Sequence, residues 1–268
     1  MNNLQTLLIV DDSQLNRELL MEILGTDYRY LQAEDGQQAI DILRGNPAVD
    51  LMLLDMVMPG LVYISQPTEY GTLYSLDELS ALRATCDAHG MKLYVDGARL
   101  AYALAAPRNN VQLSDLARLA DAFYIGGTKC GALLGEAMVF PKPSTCPHFF
   151  TLMKRRGALL AKGMVTGIQF ETLLDDGLYQ QIGAQAVAQA ERVSQALKAA
   201  GCELMHPQET NQVFVALDEK LYAQLSARVE MSFWEQLADG RTVVRLATSW
   251  ATADEDVDAL VELLGTSQ

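Results

Sequence analysis

The sequence has little of what marks proteins that bind nucleic acid or cross membranes. Its 268 residues carry 20 Lys and Arg against 34 Asp and Glu, a net charge of −14. A surface that binds phosphates needs clustered basic side chains, so nucleic acid and anionic membranes are not predicted partners. No apolar run reaches the roughly 20 residues of a membrane span, and no basic segment opens the N-terminus. The predicted compartment is therefore the cytoplasm.

Cysteine is also scarce and shows no pattern. The four cysteines lie far apart along the chain, without the spacing of metal ligands: Cys86, Cys130, Cys146 and Cys202. They are interpreted as reduced thiols that pack as small apolar side chains. A disulfide-stapled fold and a zinc site are therefore not predicted.

Short apolar runs alternate with helical patterns along most of the chain, and half of all residues are hydrophobic. This alternation predicts an α/β fold, with a mostly parallel sheet sandwiched by helices. After a long Ala-rich helix, strand patterns and a hairpin signal at Asp239-Gly240 predict a smaller C-terminal α+β domain. The predicted divisions are residues 1–60, 61–175 and 176–268.

Carboxylates follow two of the predicted strands near the N-terminus. The run 7–10 ends in Asp11 and Asp12, and the run 51–54 ends in Asp55. The three side chains are predicted at one edge of a parallel sheet, where hard oxygen ligands suit Mg²⁺ and one carboxylate could be a nucleophile towards phosphate. The alternative is that they cap helices or turns.

The segments Leu-Leu-Ile-Val-Asp-Asp-Ser, Gly-Gln-Gln-Ala and Leu-Leu-Asp-Met-Val-Met-Pro-Gly resemble the first three β/α units of a response-regulator receiver domain. The resemblance implies that Asp11 and Asp12 bind Mg²⁺ and that Asp55 is the phospho-acceptor of a phosphorelay. It stops at Gly60, where another apolar run begins at once. Only the five residues 56–60 separate Asp55 from the next apolar run, which is too few for a parallel crossover. The strands on either side are therefore predicted to be antiparallel, in separate sheets or poorly paired. We interpret this point as a junction between pieces of two different proteins.

A second pair of residues carries a different chemistry. Asp96 ends one apolar run, and Lys129 lies in a glycine-rich turn after another. Pyridoxal phosphate (PLP) needs a Lys amine for its Schiff base and a carboxylate that keeps the pyridinium nitrogen protonated. Asp96 and Lys129 are therefore the predicted catalytic pair and the core of a PLP site.

From residue 61 onward the chain resembles PLP-dependent enzymes of fold type I, and among them the low-specificity threonine aldolases of the aromatic β-eliminating lyase group. The resemblance lies in residues 73–79, 93–100, 126–131 and 244–250. It implies that Arg99 and Arg245 bind the substrate carboxylate, with Arg99 and Thr128 also contributing to the cofactor site. The implied reaction is retro-aldol cleavage of a β-hydroxy-α-amino acid into glycine and an aldehyde, by a homodimer or homotetramer.

The first half of the aldolase pattern is missing. In the family that half supplies the turn that cradles the PLP phosphate and the His that stacks on the ring, and residues 1–60 offer no replacement. Three hypotheses follow: a PLP-dependent lyase of weak or no activity, a signalling module phosphorylated on Asp55, and a designed or recombined chimera with a structural purpose only.

Overall fold

The computed structural model describes residues 5–10, 14, 17, 18, 21, 25, 28–34, 36–45, 51–54 and 60–265. The chain divides into two compact units. The first comprises Met1–Tyr63 and Ala84–Tyr94, and the second comprises Ile64–Arg83 and Val95–Gln268. Among the described residues, none of the helices is both long and apolar enough to span a membrane.

The N-terminal part forms a parallel three-stranded sheet. Its elements are β1 (Gln5–Val10), β2 (Tyr28–Ala33), α1 (Gly36–Gly45) and β3 (Leu51–Leu54), and the strand order is β2-β1-β3. Both strand pairs are parallel, as in the first three strands of a doubly wound sheet of order 2-1-3. Buried side chains of β1, β2 and α1 form a small core: Leu8, Val10, Ala33 and Ala39.

Strands β1 and β3 end at the same level, since Val10 and Leu54 are register partners. The chain therefore leaves both strands at one edge of the sheet. The predicted Mg²⁺ ligands Asp11 and Asp12 and the predicted phospho-acceptor Asp55 lie outside the described residues. After the junction, β4 (Leu61–Ser65) belongs to a different sheet from β3, which is one of the predicted alternatives.

The second sheet has the order β4-β5-β6-β7, with β5 at Lys92–Asp96, β6 at Ala122–Ile125 and β7 at Ala137–Val139. Three helices connect its strands: α2 (Leu76–Ala88), α3 (Leu100–Ala105) and α4 (Leu113–Leu119). Helix α2 begins with a capping box, in which the Ser75 and Glu78 side chains bond to each other's backbone N–H groups. Strand β7 runs antiparallel to β6.

Three helices follow the second sheet: α5 (Phe149–Arg155), α6 (Met164–Leu174) and α7 (Leu178–Ala199). Helix α7 packs closely on α3, because Gly183 has no side chain to separate the two backbones. A Cβ atom at Gly183 would lie 2.2 Å from the carbonyl oxygen of Ala101. This contact fixes α3, which begins four residues after Asp96.

The C-terminal part is an antiparallel sheet of order β10-β11-β9-β8 with two helices. Its elements are β8 (Glu203–Leu204), β9 (Gln212–Leu217), α8 (Glu219–Ser226), β10 (Ser232–Gln236), β11 (Thr242–Ala247) and α9 (Asp254–Gly265). Strands β9 and β11 bury their apolar side chains against α7, α8 and α9. The predicted fold class, α/β with a smaller α+β part at the C-terminus, is confirmed.

Candidate active site

Asp96 lies at the end of β5, with its side chain half-buried. Its Oδ1 atom accepts a hydrogen bond of 2.9 Å from the backbone N–H of Ala98 and one of 2.5 Å from the hydroxyl of Tyr124. Hydrogen bonds to a carboxylate stabilise its charged form and fix its orientation. The two hydrogen bonds therefore fix the orientation of the Asp96 carboxyl group at the end of the strand.

Two glycines bring the loop after Asp96 against the loop that leads to Lys129. The backbone N–H of Gly126 donates to the carbonyl oxygen of Gly97 over 2.9 Å. A Cβ atom at Gly97 would lie 1.9 Å from the carbonyl oxygen of Tyr124, and one at Gly126 would lie 2.4 Å from that of Ala98. Only glycine fits at either position without a shift of the backbone. The two loops that carry the predicted catalytic pair are thus in direct contact.

Lys129 lies in a single 3-10 turn, Thr128–Cys130, and its side chain is exposed. Within the part of the chain that the structure describes, its amine has no hydrogen bond or ion pair. Two buried tyrosines hold the backbone of this turn in place. The Tyr102 hydroxyl donates to the carbonyl of Lys129, and the Tyr179 hydroxyl donates to that of Gly126 over 2.8 Å.

The hydroxyls of the two tyrosines and the thiol of Cys130, which ends the Lys129 turn, stay protonated. Burial raises the pKa values of the Tyr102 and Tyr179 hydroxyls well above their usual range, and burial raises the pKa of the Cys130 thiol to about 11. Both tyrosines therefore remain hydrogen-bond donors at neutral pH. Cys130 is a buried neutral thiol rather than a nucleophile, which agrees with its interpretation as a small apolar side chain.

Glu136 accepts hydrogen bonds from the two residues that precede Lys129. Its carboxylate accepts hydrogen bonds from the backbone N–H of Gly127 and, over 2.8 Å, from the hydroxyl of Thr128. Thr128, predicted to contribute to the cofactor site, is therefore bonded within the protein. Glu136 orders the Gly127–Thr128 turn from the side of β7.

Arg99 and Arg245, predicted to bind one substrate carboxylate, converge on one carboxylate of the protein. The Nη1 atom of Arg245 lies 3.3 Å from Oε1 of Glu69, and that of Arg99 lies 3.9 Å from Oε2. The guanidinium of Arg245 also lies over the Trp234 ring, 5.8 Å from its centroid. The structure thus brings together two residues separated by more than half of the sequence.

Several of these residues were not found by sequence reasoning. Tyr124 continues an apolar strand pattern, and Glu69 lies in an irregular loop, so neither carried a signal of its own. Across the described residues, no group of three or more His, Cys, Asp or Glu side chains is arranged to hold a metal ion. That result does not bear on Asp11, Asp12 and Asp55, which are outside the described part.

Comparison with known proteins agrees with both halves of the sequence interpretation. Residues 54–220 match the family model described as beta-eliminating lyase. The chain belongs to the beta-eliminating lyase family. Residues 7–62 match the response regulator receiver domain, so the two matches meet at the predicted junction. The chimeric composition of this lyase-family chain is thereby confirmed.

Among its relatives, a low specificity L-threonine aldolase of a Pseudomonas species is 33% identical over 204 residues, which are 75% of this chain and 58% of the relative. The chain thus spans little more than half the length of that curated relative. The structure of a threonine aldolase from Leishmania major is 36% identical in sequence, with a TM-score of 0.76. The match covers 97% of this chain and 77% of the Leishmania chain. A PLP-bound putative aminotransferase of Clostridium difficile, with 12% identity and a TM-score of 0.58, shares the fold.

The residues on the two adjoining loops fit PLP. A half-buried carboxylate oriented by Tyr124 suits the protonated ring nitrogen, and the amine of Lys129 has no competing partner in the described part of the chain. The glycine contact holds the two backbones together, with Asp96 just before one loop and Lys129 just after the other. The backbone N–H of Gly127 and the hydroxyl of Thr128, which could otherwise donate to a cofactor, are bonded to Glu136.

Proposed function

We propose that this chain is a PLP-dependent, aldolase-like lyase that cleaves a β-hydroxy-α-amino acid into glycine and an aldehyde. One observation carries the proposal: the Gly97–Gly126 contact joins the loop that follows Asp96 to the loop that precedes Lys129, whose amine has no partner among the described residues. Membership of the beta-eliminating lyase family and the likeness to threonine aldolases support the reaction class.

In this proposal each residue has a separate task. Lys129 binds the cofactor covalently through its amine, and Asp96 pairs with the ring nitrogen. When bound, PLP supplies an electron sink for the bond that breaks. Arg99 and Arg245 orient the substrate through its carboxylate, because planar guanidinium groups match carboxylate geometry. Tyr102 and Tyr179 act on the Lys129 turn through its backbone and are positioning residues.

We expect the affinity for PLP and the activity to be low. The part of the aldolase pattern that cradles the phosphate and stacks on the ring is absent from the sequence. Residues 1–60 match a receiver domain instead and supply no such segment. Because cofactor sites depend on preorganised contacts, the remaining half should bind PLP weakly.

The first test is a titration with PLP. We expect a visible absorbance band, from PLP joined covalently to an amine, that saturates with PLP concentration. Asp96→Asn keeps the shape of the side chain but removes its charge, and should weaken PLP binding about 10-fold or more, since a hydrogen bond to a charged group contributes about 1.5 kcal/mol or more. The matched control is Asp115→Asn, which makes the same change to a hydrogen-bonded carboxylate in the first turn of α4. A chain that develops no band at any PLP concentration would contradict the proposal.

We also propose that copies of the chain associate, as the family resemblance implies. The region around α5 and α6 exposes a group of large apolar side chains, and association with another copy would remove them from solvent. They include Leu133, Phe150, Leu160, Met164 and Ile168. Analytical ultracentrifugation should give a mass of two or four chains. Met164→Glu should shift the mass towards a single chain, and a monomeric parent chain would rule the association out.

A second candidate function is phosphate acceptance on Asp55. The match of residues 7–62 to the receiver domain favours it. In the sequence, Asp11 follows β1 and Asp55 follows β3, and these two strands end at the same edge of the sheet. Incubation with acetyl phosphate and Mg²⁺, followed by intact mass, should then show one added phosphoryl group that Asp55→Asn lacks. A mass that stays unchanged in the parent chain would dismiss this function.

A further inference from the structure

The contact of Glu69 with both predicted substrate-binding arginines has no counterpart in the proposed reaction. One carboxylate faces two guanidinium groups, with each of its oxygens directed at a different arginine. This is the geometry that an incoming substrate carboxylate would need to adopt. Glu69 therefore occupies, from within the chain, the position that the proposal assigns to the substrate.

The burial of the three side chains differs sharply. Arg99 is 17% and Arg245 is 21% exposed, whereas Glu69 is 59% exposed. The arginines are thus fixed by their surroundings, and the carboxylate reaches them from the solvent side. Glu69 can turn into solvent at little cost, while the arginines stay in place.

The backbone that carries Glu69 is firmly held. The Thr210 hydroxyl donates to the carbonyl of Gly71 over 2.8 Å, and the Gln212 amide donates to the carbonyl of Glu69 over 3.2 Å. Thr68 and Thr72 close the turn with a backbone hydrogen bond of 2.9 Å. A fixed backbone under an exposed side chain lets Glu69 leave the arginines by rotation alone, without movement of the loop.

The charges explain why such a contact is useful before a ligand arrives. Two partly buried guanidinium groups that face the same space repel each other, and a carboxylate between them offsets this repulsion. A ligand carboxylate would restore the charge balance that Glu69 provides in its absence.

We propose that Glu69 is an internal competitor for the carboxylate site of Arg99 and Arg245, and that it gives way when the carboxylate of an amino acid enters. This inference rests on the proposed function only in the assignment of the two arginines to carboxylate binding. Glu69 would then lower the affinity for the amino acid. The Glu69 carboxylate lies where the substrate carboxylate binds, so the substrate must displace it.

The test is a ligand-observed NMR titration of the full chain with glycine, with glycinamide as the probe that lacks the carboxylate. Glu69→Gln should bind glycine about two- to five-fold more tightly than the parent chain, which is the range that an exposed ion pair supports. Glu235→Gln makes the same charge change on exposed β10 and should leave glycine affinity unchanged. Glycinamide binding should be unaffected by either substitution, and thermal melting should confirm that both variants fold.

Each other outcome decides against the inference. Equal or weaker glycine binding by Glu69→Gln overturns it, and leaves the arginine pair as the carboxylate site if Arg245→Met abolishes binding. Glycine binding that is absent from the parent chain and from Glu69→Gln overturns both the inference and the assignment of the arginines. The PLP titration is a separate measurement, so failure of the cofactor proposal does not alter the reading of this one.

Discussion

A chain in which Lys129 is replaced by Ala is expected to lose all covalent capture of PLP. The exposed amine of Lys129 is the group that the proposal assigns to the cofactor, and alanine offers no nucleophile in its place. Borohydride reduction of the parent chain with PLP should fix a pyridoxyl group on the peptide that contains Lys129. The variant should show no adduct there, and any retro-aldol activity of the parent chain should fall to background.

Lys198→Ala provides the control for this loss. Lys198 is an exposed lysine in the last turn of α7, so the substitution also removes one surface amine. It should leave both the adduct on Lys129 and any activity as in the parent chain. Equal labelling of several lysines in the parent chain would show that PLP reacts with surface amines in general. Lys129 would then not be a specific binding residue for PLP.

Replacing Gly97 by Ala should lower the free energy of unfolding by about 3 kcal/mol, the upper range for overpacking in a close-packed region. The added Cβ atom would lie 1.9 Å from the carbonyl oxygen of Tyr124, which is backbone and cannot rotate away. The strands that end at Asp96 and Ile125 would have to separate. Urea unfolding should show a lower midpoint, and PLP binding should weaken with it, because the two loops no longer meet.

Gly167→Ala is the matched comparison, since it makes the same chemical change inside α6. Nothing lies within 4 Å of the Cβ atom that it would add. Alanine is favoured over glycine within a helix by about 1 kcal/mol, so this variant should be slightly more stable than the parent chain. If both variants lost stability equally, the close approach at Gly97 would not be the cause.

Much of the fold could be predicted because its signals are local. The capping box at Ser75–Glu78 and the Asp239-Gly240 turn between β10 and β11 depend on residues within a few positions of each other. The same holds for the strand ends that place Asp96 at the end of β5 and Lys129 in the turn after β6. The break after Gly60 was also visible, because five residues cannot carry a parallel crossover whatever the rest of the chain does.

The remainder of the site could not be predicted, because it depends on which distant residues the fold brings together. Glu69 and Arg245 are 176 positions apart in the sequence, and their contact depends on the loop 68–72 being held against β9. No property of Glu69 alone distinguishes it from the other acidic residues of an acidic chain. Its burial, partners and direction exist only in the folded state.

By itself, the sequence determined the α/β class and the junction between receiver-like and lyase-like parts, and it predicted that an aspartate and a lysine act together on PLP. These follow from short-range periodicity, turn residues and the chemistry of single side chains. The tertiary structure alone decided that the Asp96 and Lys129 loops touch through Gly97 and Gly126, and that Glu69 lies between the two arginines. Both contacts come from packing between segments far apart in the chain, and the energies of such packing are not encoded in any local stretch.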